Sequence, residues 1–503
     1  MLDDSPGVGA SLRPRSALTA FLISFVFFPQ TDRSRKCRRM AAPSRSRRFI
    51  PLTAYPIWLL GLLCILWLAG GASRADALGQ VVVRGVSASV LVAAALFGPR
   101  LSVANARPVA LLLACAIALP LLQLVPLPPE WWSGLPGRGI LLEAARVTGG
   151  SQPWRPLAIV PGATFNAAAS LLVPVAVFVL VLQAGEIGRR WAIPTLVGLI
   201  TGSMLLGLLQ FAGAGLNNPF INDSVGQVSG PMANRNHFAL MLAVGCLLCP
   251  AWAFSGRRRA SWRAPAALGL VLIFVLTIIA TGSRAGLLLG GVAILLGLFL
   301  ARDGIRRELR HRPSWVLPAL TVGTVGMIIV AVLLTVNADR AVAIDRVFSV
   351  EIGQDMRHRA LPVILEMIRT YFPVGTGFGS FDPIFRIHEP FDLLKLTYFN
   401  HAHNDWLEVV LDGGLFGLLL LLAAVIWWGW ATIAAWRAGR SEDAQLARVG
   451  SAIVLLVMVA SLLDYPARTP IIMALLTMAA TWLSVGSRSS APGSALPGDE
   501  HHL

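Results

Sequence analysis

Twelve stretches of the chain each run for roughly seventeen or more mainly apolar residues, broken by short polar connectors. About 20 residues at 1.5 Å rise cross a hydrocarbon core, so each stretch predicts a transmembrane helix. They are Leu52–Gly70, Val81–Gly98, Val109–Val125, Ala163–Gln183, Trp191–Ala212, Phe238–Phe254, Pro265–Ala280, Ala285–Ala301, Trp315–Val336, Trp406–Trp430, Val449–Leu463 and Pro470–Val485. The expected fold is all-α: a polytopic membrane bundle of about twelve helices. Ala17–Phe28 is about half the length a span requires and is read as none. Two connections are long, Pro126–Gly162 and Asn337–Asp405, and long loops on a tight bundle are where function is usually carried.

Composition agrees with lipid as the solvent. Of 503 residues, 55% are hydrophobic and only 14% charged, against about 25% in an average soluble domain. The net charge of +16 would suit nucleic acid, but the arginines sit in short clusters between apolar runs. Arg257–Arg259 with Arg263, and Arg302, Arg306, Arg307, Arg310 and Arg312, are the densest groups. Arg45–Arg48, Arg100 with Arg107, Arg189 with Arg190, and Arg437 with Arg440 fall on the same side if the spans alternate. Positive-inside bias makes that side cytoplasmic and excludes nucleic acid as the partner. Both termini are then inside and both long connections outside. The expected organisation is a basic cytoplasmic tail (1–50), spans one to nine (51–336), a large extracytoplasmic loop (337–405), spans ten to twelve (406–486) and a disordered cytoplasmic tail (487–503). Met40 lies within the basic stretch Arg33–Arg48, so 1–39 is read as a candidate mis-annotated start. Four of the five cysteines lie in apolar runs and imply no disulfide framework. Cys246 and Cys249 have CxxC spacing, which on a spanning helix places two small apolar side chains on one face.

The loop 337–405 breaks the apolar composition. It gathers Arg340, Arg346, Arg357, Arg359, Arg369, Arg386, Lys395, His388, His401 and His403. Leu361–Tyr371 reads as a short amphipathic helix opened by Pro362. A glycine loop follows, with Pro373, Gly375, Gly377 and Gly379, then His401-Ala-His403-Asn404-Asp405 leading into the tenth span. Upstream stand Gly230-Pro-Met-Ala-Asn234-Arg235-Asn236-His237-Phe238 and Thr281-Gly-Ser283-Arg284-Ala-Gly286. This order of motifs resembles the O-antigen ligase and polymerase family over about residues 195 to 430. The resemblance implies an inner-membrane glycosyltransferase. It would move a glycan from a polyprenyl-pyrophosphate donor to a hydroxyl of a glycan, lipid or protein acceptor on the periplasmic face, surrounded by membrane lipids and without a cofactor.

The residue types suit that chemistry. Guanidinium forks bind phosphate oxygens bidentately and never deprotonate, so Arg284, Arg357 and Arg359 are assigned to the pyrophosphate and would have to converge. An imidazole near neutrality suits activation of a weakly nucleophilic hydroxyl, with His403 first and His401 second. Asn234, Arg235, Asn236, His237, Gly375, Gly377, Gly379 and Asn404 are candidates for substrate contact. No metal is expected, since arginines can neutralise the donor and no DxD-like carboxylate pair is present. Plainer readings stand beside these. Arg284 would merely snorkel to the interface, Arg357 and Arg359 would be solvated loop charges, and Asn234–His237 would cap a helix. Asp405 and Glu408 have capping-box spacing. The glycines either bring backbone to a phosphate or turn the chain sharply. The competing function is a multi-pass transporter of a lipid-linked or soluble solute, whose charges would be buried within the spans.

Overall fold

The computed structural model describes residues 55–215, 218–221, 226–254, 262–310, 356–394, 399–439 and 441–488, with Trp315 and Gly326 as isolated positions. The tail 1–50 with its start at Met40, the ninth span Trp315–Val336 apart from those two positions, Arg340, Arg346, Lys395 and nearly all of the tail 487–503 lie outside the described residues.

Within them the chain is mainly helical. In order come α1 (Tyr55–Ala69), α2 (Leu78–Phe97), α3 (Arg107–Gln123), α4 (Pro129–Ser133), α5 (Gly139–Val147), α6 (Pro161–Ser170), α7 (Leu172–Gln183), α8 (Gly185–Phe211) and α9 (Arg235–Ala253). Then follow α10 (Arg263–Thr281), α11 (Arg284–Leu309), α12 (Met356–Tyr371), α13 (Phe381–His388), α14 (Asp405–Arg437), α15 (Glu442–Ala460) and α16 (Pro470–Arg488). The strands, β1 (Pro126–Leu127) and β2 (Arg155–Pro156), form an antiparallel clip at the base of the first long connection. Ten helical stretches among the described residues are long and apolar enough to cross a membrane, α6 and α7 together making one of them. Helix α1, at 15 residues, is apolar but shorter. These positions fall on eleven of the apolar runs read from the sequence.

Buried share separates the centre from the rim. The α9 window is 83% buried and those of α15 and α16 are 67%, against 22% for α2, whose apolar side chains face outward where lipid would lie. In lipid, helices are drawn together by close packing at small residues rather than by hydrophobic expulsion. Gly450 on α15 illustrates this, since a Cβ there would stand 2.4 Å from the Ala479 carbonyl of α16.

From α1 to α11 and again from α14 to α16 the described spans alternate in direction, and hydrogen bonds show which ends meet. The starts of α9, α11, α14 and α16 gather with the ends of α1, α8, α10 and α15, through pairs such as Ser283–Asn236, Ala233–Gly71 and Ile471–Gly70. The opposite ends meet through Ser484–Asn105 and Arg189–Asp443. Helix α11 finishes at this second end, while α12 begins at the first. Helix α12 starts at Met356 and takes Pro362 into its body, which corrects the expectation of a helix from Leu361 opened by that proline. The buried face of Ala360, Ile364 and Met367, packed with Phe381 and Phe385 of α13, extends the helix one turn earlier than the proline signal implied.

Candidate active site

The end of the bundle where α9, α11 and α14 begin is organised around Asp464, in the short turn between α15 and α16. Its carboxylate is 3% exposed and collects five donors. Oδ1 accepts from His403 Nδ1 at 2.9 Å and the Tyr465 amide at 3.0 Å. Oδ2 accepts from Asn236 Nδ2 at 2.6 Å, Asn234 Nδ2 at 3.1 Å and Arg357 Nη2 at 3.4 Å. Burial alone would raise its pKa. The bond from His403 and the charges of His237, His403 and Arg357 outweigh that and hold the carboxyl well below the usual carboxylate range.

An ionised carboxylate only accepts, so His403 must carry its proton on Nδ1. Its Nε2 meets no protein partner among the described residues, and the side chain remains 16% exposed. His403 also holds φ at +50°, a left-handed conformation that a residue with a Cβ adopts at a cost of order 1 kcal/mol and that clusters at functional sites. His401 repeats the arrangement: its Nδ1 lies 2.9 Å from Oε1 of the buried Glu408. The Tyr465 ring stands beside both, 4.3 Å from His401 and 4.8 Å from His403 between centroids, with His237 edge-on at 5.0 Å. Burial pushes the Tyr465 hydroxyl up to about 12, so it stays neutral.

A second buried charge supports this pair. Asp405, Glu408 and Asp412 lie on one face of α14 by their i, i+3, i+7 spacing. Arg468 reaches all three, at 3.3, 3.2 and 3.7 Å. Burial would lower the Arg468 pKa, but the three carboxylates raise it. The capping-box reading of Asp405 and Glu408 is corrected here. Asn404 caps α14 by accepting from the Leu407 amide, while Glu408 takes His401 and the Ala402 amide and Asp405 takes Ser461 Oγ and the Ala467 amide.

The remaining residues singled out in the sequence divide. Asn234 caps α9 through the Asn236 amide, as the plainer reading had it, and its Nδ2 also bonds Asp464. Asn236 joins α9 to Ser283, whose Oγ donates to its Oδ1 at 2.8 Å and caps α11. Arg284 is the first residue of that helix and lies exposed beside the cluster; Arg235 opens α9. His237 is buried, with Nδ1 2.9 Å from Thr469 Oγ1. Arg357 comes to Asp464, but Arg359 turns to Asp392 at 3.0 Å, so the three arginines do not converge. The amides of Gly375, Gly377 and Gly379 are bound by Tyr371 O, Asp412 O and Asp412 Oδ2. A Cβ on Gly375 would stand 2.5 Å from the Asp412 carbonyl. These glycines bring the loop against the start of α14, and their amides are occupied by the protein.

Asp464, Tyr465 and Arg468 are absent from the residues read from the sequence, and Glu408 was read there only as part of a capping box. The available signal was an acid, an aromatic and a base packed into the turn Asp464-Tyr-Pro-Ala-Arg468 between two apolar runs. Residues 268–422 match the family described as O-antigen ligase. No curated protein matches the chain. The matched stretch runs from α10 into the middle of α14 and takes in Ser283, Arg284, Arg357, the glycine loop and both site histidines: over that stretch this polytopic membrane chain is similar to the O-antigen ligase family.

Proposed function

We infer that the chain is an inner-membrane glycosyltransferase that moves a glycan from a polyprenyl pyrophosphate to an acceptor hydroxyl on the periplasmic face. The observation that carries this reading is the His403–Asp464 contact of 2.9 Å, with Nε2 left to meet a substrate. In the proposed step Nε2 takes the proton of the acceptor hydroxyl, its oxygen bonds to the anomeric carbon, and the bond from that carbon to the pyrophosphate oxygen breaks with its electron pair. Direct displacement inverts the anomeric centre. Asp464 holds the imidazole in the right tautomer and stabilises the imidazolium that forms. Arg357, on the same carboxylate, and Arg284, next to the Ser283–Asn236 contact, stand where guanidinium groups would meet the departing charge. Outward orientation is supported by arginine placement: Arg100, Arg107, Arg189, Arg190, Arg263, Arg302, Arg306, Arg307, Arg310 and Arg437 all belong to the opposite end.

The test is glycan analysis in a deletion strain complemented with wild type, His403→Ala or Arg284→Ala, each checked for membrane abundance. The expected result is accumulation of polyprenyl-pyrophosphate-linked glycan with loss of finished conjugate or polymer. Unchanged glycan in both expressed variants would remove the catalytic assignment and favour a transporter.

A further inference from the structure

A cavity of about 160 Å³ opens between the connection following α1 and the histidine cluster. Gly71, Ser73 and Arg74 form one wall; Asn234, Asn400 and Tyr465 form the other. We propose that this cavity is a subsite for a single pyranose ring of the glycan being joined. The inference rests on the transfer reading above and adds the place where one sugar is held.

Size, lining and position each contribute. At roughly 30 Å³ per molecule the space corresponds to about five waters, close to what one hydroxylated six-membered ring displaces. The lining carries the Ser73 and Tyr465 hydroxyls and the Asn400 amide, groups that both donate and accept, while the Asn234 amide beside them is already bonded to Asp464 and to the backbone of Asn236. An acyl chain there would strip those groups of water without replacing their hydrogen bonds, at about 1–3 kcal/mol for each group left unsatisfied. A phosphate is also a poor fit, because the charge of Arg74 is matched by a two-point contact with Asp76, with Nε 2.9 Å from Oδ1. A neutral ligand with several hydroxyls suits both these hydroxyl and amide groups and this matched pair.

The wall is set before anything binds, which reduces the ordering cost of recognition. The Gly71 carbonyl accepts from the Ala233 amide at 3.0 Å, and Gln80 Nε2 donates to the Ala72 carbonyl. Gly71 is pressed so closely on Pro231 that a Cβ would stand 1.8 Å from its carbonyl oxygen. Tyr465 belongs both to this cavity and to the ring cluster around His401 and His403, so a sugar held here lies one aromatic ring from the proposed base. The Gly71–Arg74 wall is outside the stretch that matches the family, which places sugar selection on a part of the chain separate from the family domain.

The experiment uses the full chain in lipid nanodiscs and the variants Ser73→Leu, which fills the cavity, and Ser73→Ala, which does not. Saturation-transfer NMR is run with a panel of methyl pyranosides of glucose, galactose, mannose, rhamnose and N-acetylglucosamine. Signal from at least one glycoside is expected in wild type, Ser73→Ala and His403→Ala, and its loss in Ser73→Leu. Transfer kinetics, with donor glycan from the deletion strain, identify the source of the sugar. A KM raised about tenfold or more for the donor alone assigns the donor sugar, and the same rise for the acceptor alone assigns the acceptor sugar, with kcat held within about twofold in either case. No saturation in wild type, the same saturation in Ser73→Leu, or unchanged KM values in Ser73→Leu would overturn the subsite. A wild type that binds glycosides but transfers nothing would instead overturn the transferase reading and leave the cavity as a sugar site.

Discussion

Asp464 serves two masters at the residue scale, orienting one imidazole and anchoring three cationic or amide donors from α9 and α12, so removing its charge should be felt in both chemistry and stability. Asp464→Asn keeps the size of the side chain but can offer an amide N–H to His403, which favours the tautomer with Nδ1 as acceptor and the proton on Nε2, where it blocks the base. The expected loss in kcat is on the order of 10²–10⁴, the range general-base catalysis contributes, with a smaller change in donor KM; single-turnover transfer in nanodiscs measures it. Glu408→Gln should cost less activity if His403 is the base, and an equal or greater loss would transfer the role to His401. The depressed pKa of Asp464 adds a pH signature. A carboxyl held below its ordinary 3.8 in the fold stabilises above that value and loses its contribution as pH falls through the folded value. The gap in melting temperature between wild type and Asp464→Asn should therefore be widest near neutrality and close on strong acidification; a gap that widens in acid would contradict the ionised hub.

At the scale of elements, the start of α14 is held by charge on one side and by close backbone approach on the other. Arg468 is the cation for three buried carboxylates of that helix, and breaking a buried pair by removing one partner typically costs about 3–5 kcal/mol. Arg468→Met should accordingly lower the melting temperature sharply and reduce abundance in the membrane, whereas Arg359→Met, which frees only the exposed Asp392, should change it little. On the other side, α14 bends at Gly414, at φ 56° and ψ −140°, where a Cβ would stand 2.1 Å from the Pro373 carbonyl. Gly414→Ala should destabilise by at least about 1–3 kcal/mol. Gly61→Ala, in a helix with nothing within 4 Å of the added methyl, should stabilise by about 0.5–1 kcal/mol. Equal melting temperatures for the two alanine variants would refute this account of the loop. The three glycines were visible in the sequence, but their purpose was not, because a positive φ serves a phosphate cradle and a tight backbone contact equally well. Of the three carboxylates, Asp405 and Glu408 were read as a capping box and Asp412 was not read at all; their shared cation was hidden because Arg468 lies about sixty residues further along the chain.

For the whole molecule, the spans were legible because a bilayer demands about 20 apolar residues in a row, a signal carried by consecutive positions. The centre of the site was less so, because its contacts join residues 61, 107 and 230 positions apart, and no local pattern records such a pairing. Orientation lies between the two cases, since it depends on the contrast between ends. Arginines crowd the short connectors opposite the site, while those in and beside the short turns between spans on the site side, Arg74, Arg235, Arg284 and Arg468, occur singly; Arg357 and Arg359 belong to the long loop, which weighs little in this rule. Translocating a cluster is costly, so the crowded end should remain in the cytoplasm. Single cysteines in a background with Cys37, Cys64, Cys115, Cys246 and Cys249 changed to Ala make this measurable. Phe391→Cys, at a position 92% exposed on the site side, should react with a membrane-impermeant maleimide once the outer membrane is opened. Glu442→Cys, at the start of α15 on the far end, should react only after the inner membrane is permeabilised. The reverse pattern would put His403 and Asp464 on the cytoplasmic face, where acceptor transfer outside the inner membrane is impossible, and the proposed function would fall with the orientation.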